Sequence, residues 1–298
     1  MFPDGICRVT DSYYTKTVQF QDINYQLNQN EDKTAIFDGW CDFLNYFDSS
    51  VRFQLSFVNM SANKDNYARY ITISPQGDDF DSIRLEYTQM LQNQLARGNN
   101  GLIKTKYLTF GIEAASYKSA RAKLFGIKND VIKGFKAFGV DAKALDGKEK
   151  LETLYYSLNP YSNQSFVFDW DAMLHAGMDT KDFICPKSFK FNKQDFENGN
   201  AYGAVWGLNI LAGELSDEIL RNFLEMQNLF CVNLHIEPLD QIDALKFVKK
   251  KLTNVEQMKI DEQKKASQSG YDPDILPPDL VTFSKDAAEL LADLQSRN

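Results

Sequence analysis

The segment VRFQLSFV, Val51–Val58, is the cleanest strand in this chain and fixes the reading of its first half. Val51, Phe53, Leu55 and Phe57 point one way, and Arg52, Gln54 and Ser56 point the other. That alternation belongs to a sheet with one covered face and one face left wet or free for a partner.

Upstream, TKTVQF and DINYQL read as an extended strand, straight or bent, from Thr15 to Leu27. Asn30 then caps a helix whose Ile36, Phe37, Trp40, Cys41, Leu44 and Phe47 form a wide apolar face. Downstream, a polar loop leads into DDFDSIRLEYTQMLQNQLARG, a helix with Ile83, Tyr87, Leu91 and Leu95 spaced for burial and Gly98 at its end. LIKTKYLTFGIE follows as a strand. Ser116 caps the next helix, with Ala120, Leu124, Ile127, Val131, Phe135 and Phe138 as its inner stripe. Gly139 stops that helix, VDAKAL makes a short strand, and KEKLETLYYSLNP makes a helix ending at Pro160.

The order is βαβ, an extra helix, then βαβ. A ferredoxin-like βαββαβ subdomain over residues 1–160, with one helix inserted between its halves, accounts for it. A doubly wound parallel sheet is the rival arrangement, but no Gly-rich strand–helix turn marks a ligand crevice.

Residues 161–298 read as a second α+β subdomain. Tyr161–Asn200, with the clusters FVFDW and SFKF, is the connector and first strands. A strand from Ala201 puts Ala204, Trp206, Leu208 and Ile210 on one face and Gly203 and Gly207 on the other. Ser216 caps a helix with Ile219, Leu220, Phe223 and Leu224 inward. LFCVNLHIE aligns Phe230, Val232, Leu234 and Ile236 on a single face. A long helix near 240–269 carries Ile242, Leu245, Val248, Leu252 and Val255 at steps of three and four. After the Pro- and Asp-rich SGYDPDILPPDL, Ser284 caps a C-terminal helix, 284–296. The fold class is therefore α+β with two subdomains, the second an incomplete βαβα unit whose closing strand is missing.

A net charge of −8 argues against nucleic-acid binding as the main business. The N-terminus MFPDGICRVTDSYY has no signal-peptide pattern, and the apolar run near Trp206 is too short to span a bilayer. Cys7, Cys41, Cys185 and Cys231 form no CxxC pair and read as reduced thiols of a cytosolic protein.

Few residue patterns point to chemistry. Gly147–Lys148 is the one Gly–Lys pair, yet Ala142 and Glu149 stand where a phosphate loop needs Gly and Ser or Thr. Gly199, Gly203 and Gly207 fit a Gly-lined strand face. His175 and His235 lack neighbouring ligands for zinc, and nothing local activates Cys231 for a Cys–His pair with His175. Asp78, Asp79 and Asp81 sit where a helix begins, and Asp272, Asp274 and Asp279 lack the glycine and closing glutamate of a calcium loop. Lys249, Lys250, Lys251, Lys259, Lys264 and Lys265 fit a solvated helix face, with a partner or anionic lipid as the sharper alternative. No residue is assigned a catalytic, cofactor-binding or metal-binding role.

Three blocks go beyond the generic: TKTVQFQDINYQL with NEDKTAIFDGWCDFLNYFDSS, QGDDF followed by NGLIKTKYLTFGIEA, and TKDFICPKSFKF. Together they resemble the amino-terminal region of the VirB/TraE/TrbE/CagE-type conjugative-transfer ATPases, in the form found on Gram-positive mobile elements. The resemblance extends from about Phe2 to Asn298. It implies a docking and assembly domain of a type IV secretion motor, cytoplasmic and peripheral to the inner face of the membrane. Its partners would be protein components of the secretion complex, with membrane contact through them, and its own C-terminal ATPase domain. A homo-oligomer is a further expectation, and direct nucleic-acid contact is not. The Walker motifs of the family have no matching positions here, so ATP and magnesium are expected only for a domain beyond this sequence. Two other readings remain. One is a small-molecule enzyme on a ferredoxin-like scaffold, gathering Glu113, His235 or a cysteine in a pocket. The other is a single-strand nucleic-acid binder using Trp206 and the lysine helix.

Overall fold

Val51–Ser61 forms an eleven-residue strand with strands paired along both of its edges. The structure is a computed structural model that describes the chain apart from residues 23–29, 62–72, 74, 98–101, 161–163, 200, 208–225, 227, 271, 273–275 and 297–298. In chain order the elements begin with β1 (Cys7–Arg8), β2 (Tyr13–Phe20), α1 (Asn30–Asn45), β3 (Val51–Ser61) and α2 (Asp81–Arg97). Next come β4 (Leu102–Glu113), α3 (Tyr117–Ala137), β5 (Ala142–Ala144), α4 (Gly147–Leu158) and α5 (Trp170–Ala176). They continue with β6 (Phe189–Phe191), β7 (Phe196–Asn198), β8 (Ala201–Gly203), β9 (Phe230–Ile236), α6 (Gln241–Gln268) and α7 (Pro278–Ser296).

The large sheet runs β2–β4–β3–β9, with β1 and β5 sharing the outer edge of β2, and every pair is antiparallel. Taking β2, β3, β4 and β5 as the four strands of the βαββαβ plan, their order is fourth, first, third, second. That is the split βαβ arrangement of a ferredoxin-like fold, with α2 inserted between the halves. The antiparallel register excludes the doubly wound alternative. The fold class is α+β.

One face of the sheet lies under α1 and α3. Val18, Leu108, Phe110, Ile112, Val51 and Phe53 meet Leu124, Val131 and Phe135 there, all buried. The two helices are seated on each other by rings over glycines. A Cβ on Gly134 of α3 would lie 2.5 Å from the Phe43 ring, and one on Gly39 of α1 would lie 2.5 Å from the Phe138 ring. Phe43 is held in turn by Trp40, Phe47 and Phe135, with centroids 5.3, 5.7 and 5.0 Å away. The expected face of α1 is thus shifted: Phe43 is buried, while Phe37 is 64% exposed.

Three further expectations change. The stripe on α2 is not covered, since Ile83 and Tyr87 are exposed. Polar contacts hold its start instead. Asp81 accepts from the backbone N–H groups of Gln76 and Gly77, at 2.8 Å each, and Arg84 grips both Asp78 and Asp81. These contacts hold the Asp78 and Asp81 carboxyls below the usual carboxylate range, the Arg84 hydrogen bond leading for Asp78 and the Gln76 N–H for Asp81. Next, α7 starts at Pro278 rather than after Ser284, because proline suits a first helical turn whose N–H needs no partner. Last, the strand from Ala201 stops at Gly203 and belongs to a small meander, β6–β7–β8. The helix expected from Ser216 lies outside the described residues.

The chain divides into one unit of residues 1–207 with 220–237, and a second of residues 208–219 with 238–298. The boundary expected at 160–161 falls inside the first unit for two physical reasons. Phe168 and Met173 pack on Leu151 of α4, so the aromatic stretch after Pro160 completes a small core rather than opening a new one. And β9 does not start a second sheet. Its register sets Ile236, Leu234 and Val232 against Phe53, Leu55 and Phe57, apolar against apolar, so it extends the existing core face. Within the second unit, α6 and α7 form a hairpin with Val248 and Val255 buried.

The glycines of α3 allow a paired test. Alanine at either position gains about 1 kcal/mol of helix propensity. At Gly126 a Cβ meets nothing, so Gly126→Ala should raise stability by about that much in denaturant titration. At Gly134 it drives into a fixed ring, and Gly134→Ala should come out about 1–3 kcal/mol worse than Gly126→Ala.

Candidate functional site

The face of the sheet turned away from α1 and α3 is polar and only partly covered. Its side chains follow from register as rows: Cys7, Thr15, Gly111 and Arg52, then Thr17, Thr109, Gln54 and His235, then Gln19, Tyr107, Ser56 and Asn233. α4 lies over part of this face, reaching β2 through Lys150 and the end of β3 through Ser157. Its Lys150 Nζ donates to Thr17 Oγ1, which is 2.8 Å from Thr109 Oγ1, and Ser157 Oγ donates to Met60 Sδ at 3.6 Å. Burial pushes the Lys150 amine down to about 8, partly opposed by Cys7.

The β3–β9 side of that face carries a hydrogen-bonded lattice. Gln54 Nε2 donates to Asn233 Oδ1 at 2.7 Å and to Ser56 Oγ at 2.8 Å, and Ser56 Oγ donates to Asn233 Oδ1 at 2.7 Å. Cys231 Sγ donates to the same Asn233 oxygen at 3.5 Å, and burial pushes its thiol up. Arg52 Nε donates to Glu237 Oε1 at 3.1 Å. His235 shares this face with Cys231, but four residues along a strand separate them by about 13 Å. His175 ends α5 on the surface. No cysteine–histidine contact arises among the described residues.

Glu113 takes part in an open cleft of about 570 Å³ where β2 and β3 begin and β4 ends. Ser12 Oγ donates to Glu113 Oε2 at 2.6 Å, and Tyr46 Oη donates to Asp130 Oδ2 at 2.7 Å. Burial, then that hydrogen bond and the Asp130 charge, push the Tyr46 phenol up to about 12. Neither histidine and none of the cysteines lines this cleft, so the enzyme reading's candidates are not brought together.

Gly147 of the Gly–Lys pair is the first residue of α4, packed beneath Phe2, with Asp146 as N-cap and Glu149 closing a capping box. Lys249, Lys250 and Lys251 are exposed on α6. Asp272 is exposed, Asp274 lies outside the described residues and the Asp279 side chain is likewise undescribed. Among the described residues no three His, Cys, Asp or Glu side chains gather as metal ligands. No helix among them is long and apolar enough to cross a membrane.

The meander supplies what sequence patterning missed. Phe189, Phe191 and Phe196 share one face, with Phe189 and Phe196 stacked at 5.0 Å, and Gly203 lies beneath the Phe196 ring. Phe191 is 80% exposed, and beyond the meander Trp206 is 90% exposed and belongs to no strand. The glycine expected to admit another backbone instead admits a ring.

Compared with known proteins, the chain matches no family model and no characterised relative.

Lys150 yields a pH test. Its amine loses protons near pH 8 when folded and near 10.5 when unfolded, so the unfolded chain binds more protons between those values. Stability should therefore rise with pH across that window, by about 2 kcal/mol from about pH 7 to about pH 9.5. Lys150→Met should lack that increment when unfolding is followed at both pH values.

Proposed function

We propose that this chain is a non-catalytic docking and assembly module of a conjugative, type IV secretion ATPase, acting at the inner face of a membrane through protein partners. The sequence blocks that resemble the family support this reading. The structural observation that carries it is the exposed aromatic surface of the first unit, Phe191 on the meander and Trp206 just beyond it. Large rings left in water lose the transfer free energy that burial against a partner would return. On the meander Lys190 donates to Glu197, and Asn192 to Asp195 and Glu197. In this reading ATP and magnesium bind the motor domain of the full-length protein, and this chain supplies recognition.

Two measurements test it. Titration calorimetry with ATP and magnesium should show no stoichiometric binding to this chain; tight binding with turnover would refute the proposal. Co-purification with the membrane components of a conjugative secretion complex should succeed for the wild type. It should fail for Phe191→Ala with Trp206→Ala at unchanged melting temperature. Equal capture by the double variant would remove the aromatic surface from the argument.

A further inference from the structure

β9 ends the large sheet, and among the described residues no strand pairs with its outer side. An edge strand offers a row of unsatisfied N–H and C=O groups, which proteins usually blunt with lysine, proline, a bulge or short length. The segment FCVNLHI, Phe230–Ile236, uses none of these. It holds no Lys, Arg, Asp, Glu or Pro, and its seven residues pair with β3 without a break in register. The opposite edge differs, since the outer side of β2 is occupied by β1 and β5.

The residue order of β9 is self-complementary about Asn233. Phe230, Val232, Leu234 and Ile236 lie on the core side of the sheet, and Cys231, Asn233 and His235 on the polar side. Antiparallel pairing with a second copy about a two-fold axis at Asn233 sets Val232 opposite Leu234 and Phe230 opposite Ile236. It sets Cys231 opposite His235 and Asn233 opposite its own mate. Every pair is apolar with apolar or uncharged polar with polar, the pattern that stabilises cross-strand neighbours. An axis between two residues would set apolar side chains against polar ones, and an axis at another residue would leave part of the strand unpaired. Leu234, 50% exposed along this edge, gains a neighbour in that arrangement.

We propose that the outer edge of β9 is the homodimer interface of this protein, joining the large sheets of two copies into one through an isologous strand pair. The proposal is independent of the docking role, because it uses neither the aromatic meander nor the family resemblance.

The test uses the 298-residue chain. Sedimentation over a concentration series should show a dimer. Leu234→Lys, a half-exposed position where an edge lysine opposes pairing, should weaken association at least roughly tenfold. Circular dichroism should show its fold retained. In a Cys231→Ser background, Asn233→Cys should form a cross-chain disulfide under mild oxidation, because directly opposed Cα atoms lie about 4.5–5.5 Å apart. His235→Cys in the same background should not, its mate being about 13 Å away. A chain that stays monomeric at every concentration would overturn the proposal. So would a dimer that Leu234→Lys leaves intact, or equal cross-linking at positions 233 and 235.

Discussion

The seating of α1 on α3 is the contact on which the first unit depends. Phe43 occupies the space over Gly134, and Phe138 the space over Gly39. Each helix thus supplies both a ring and a recess. This brings the helix axes close enough for Phe135 to stack on Phe20 at 4.6 Å and for Phe47 to stack on Phe53 at 4.3 Å. The aromatic layer covers one side of the sheet from β2 to β3. Glycine costs helix propensity at both sites, and the close-packed rings that fill the recesses offset that cost only while neither glycine position carries a side chain of its own. With the helices locked on one side, the other side is left to α4 and to solvent.

That asymmetry decides where polarity is tolerated. On the covered side Lys16 is buried, and it is accommodated because its Nζ donates to the Asp4 carbonyl at 2.5 Å and lies 5.1 Å from the centre of the Phe125 ring. Burial pushes that amine down, with Asp4 acting in the opposite sense. The Asp4 carboxylate also accepts from Tyr117 Oη at 2.9 Å and Arg121 Nε at 3.0 Å, so the N-terminal segment is fastened to the start of α3. A buried charge is tolerated only with partners of this kind. On the other side Lys150 performs the matching role beneath α4, and the lattice of Gln54, Ser56 and Asn233 satisfies the uncovered strands.

The elements legible in the sequence were those whose order comes from local periodicity. The alternation of Val51–Val58 holds at its start, with Val51 and Phe53 buried and Arg52 exposed, whereas further along Ser56 and Val58 on the other face are buried and Leu55 and Phe57 are half-buried. The stripe of α3 is buried at Ala120, Leu124, Val131 and Phe135, and Ser116 accepts from the Ser119 N–H at its start. What periodicity could not reveal is which element a strand seeks. β9 has the right alternation, but nothing local says that its partner is β3, 180 residues or so away; the matching apolar register decides that. Strand patterning could not decide the exposure of Trp206 either, since a pattern of apolar residues marks a face without naming what covers it. Gly147, excluded from a phosphate loop by Ala142 and Glu149, packs against Phe2 as the first residue of α4.

The kind of work open to this fold follows from how its polar atoms are used. Among the described residues no buried side-chain nitrogen or oxygen lacks a hydrogen-bond partner. Arg52 is engaged by Glu237, Tyr46 by Asp130 and Asn233 by three neighbours. Groups already paired have less to offer an incoming substrate, because binding it would first break contacts the fold has made. Unspent capacity lies elsewhere, in rings exposed to water and in the backbone groups of a strand edge. Both act by burying surface or extending a ladder, and neither moves a proton or breaks a bond.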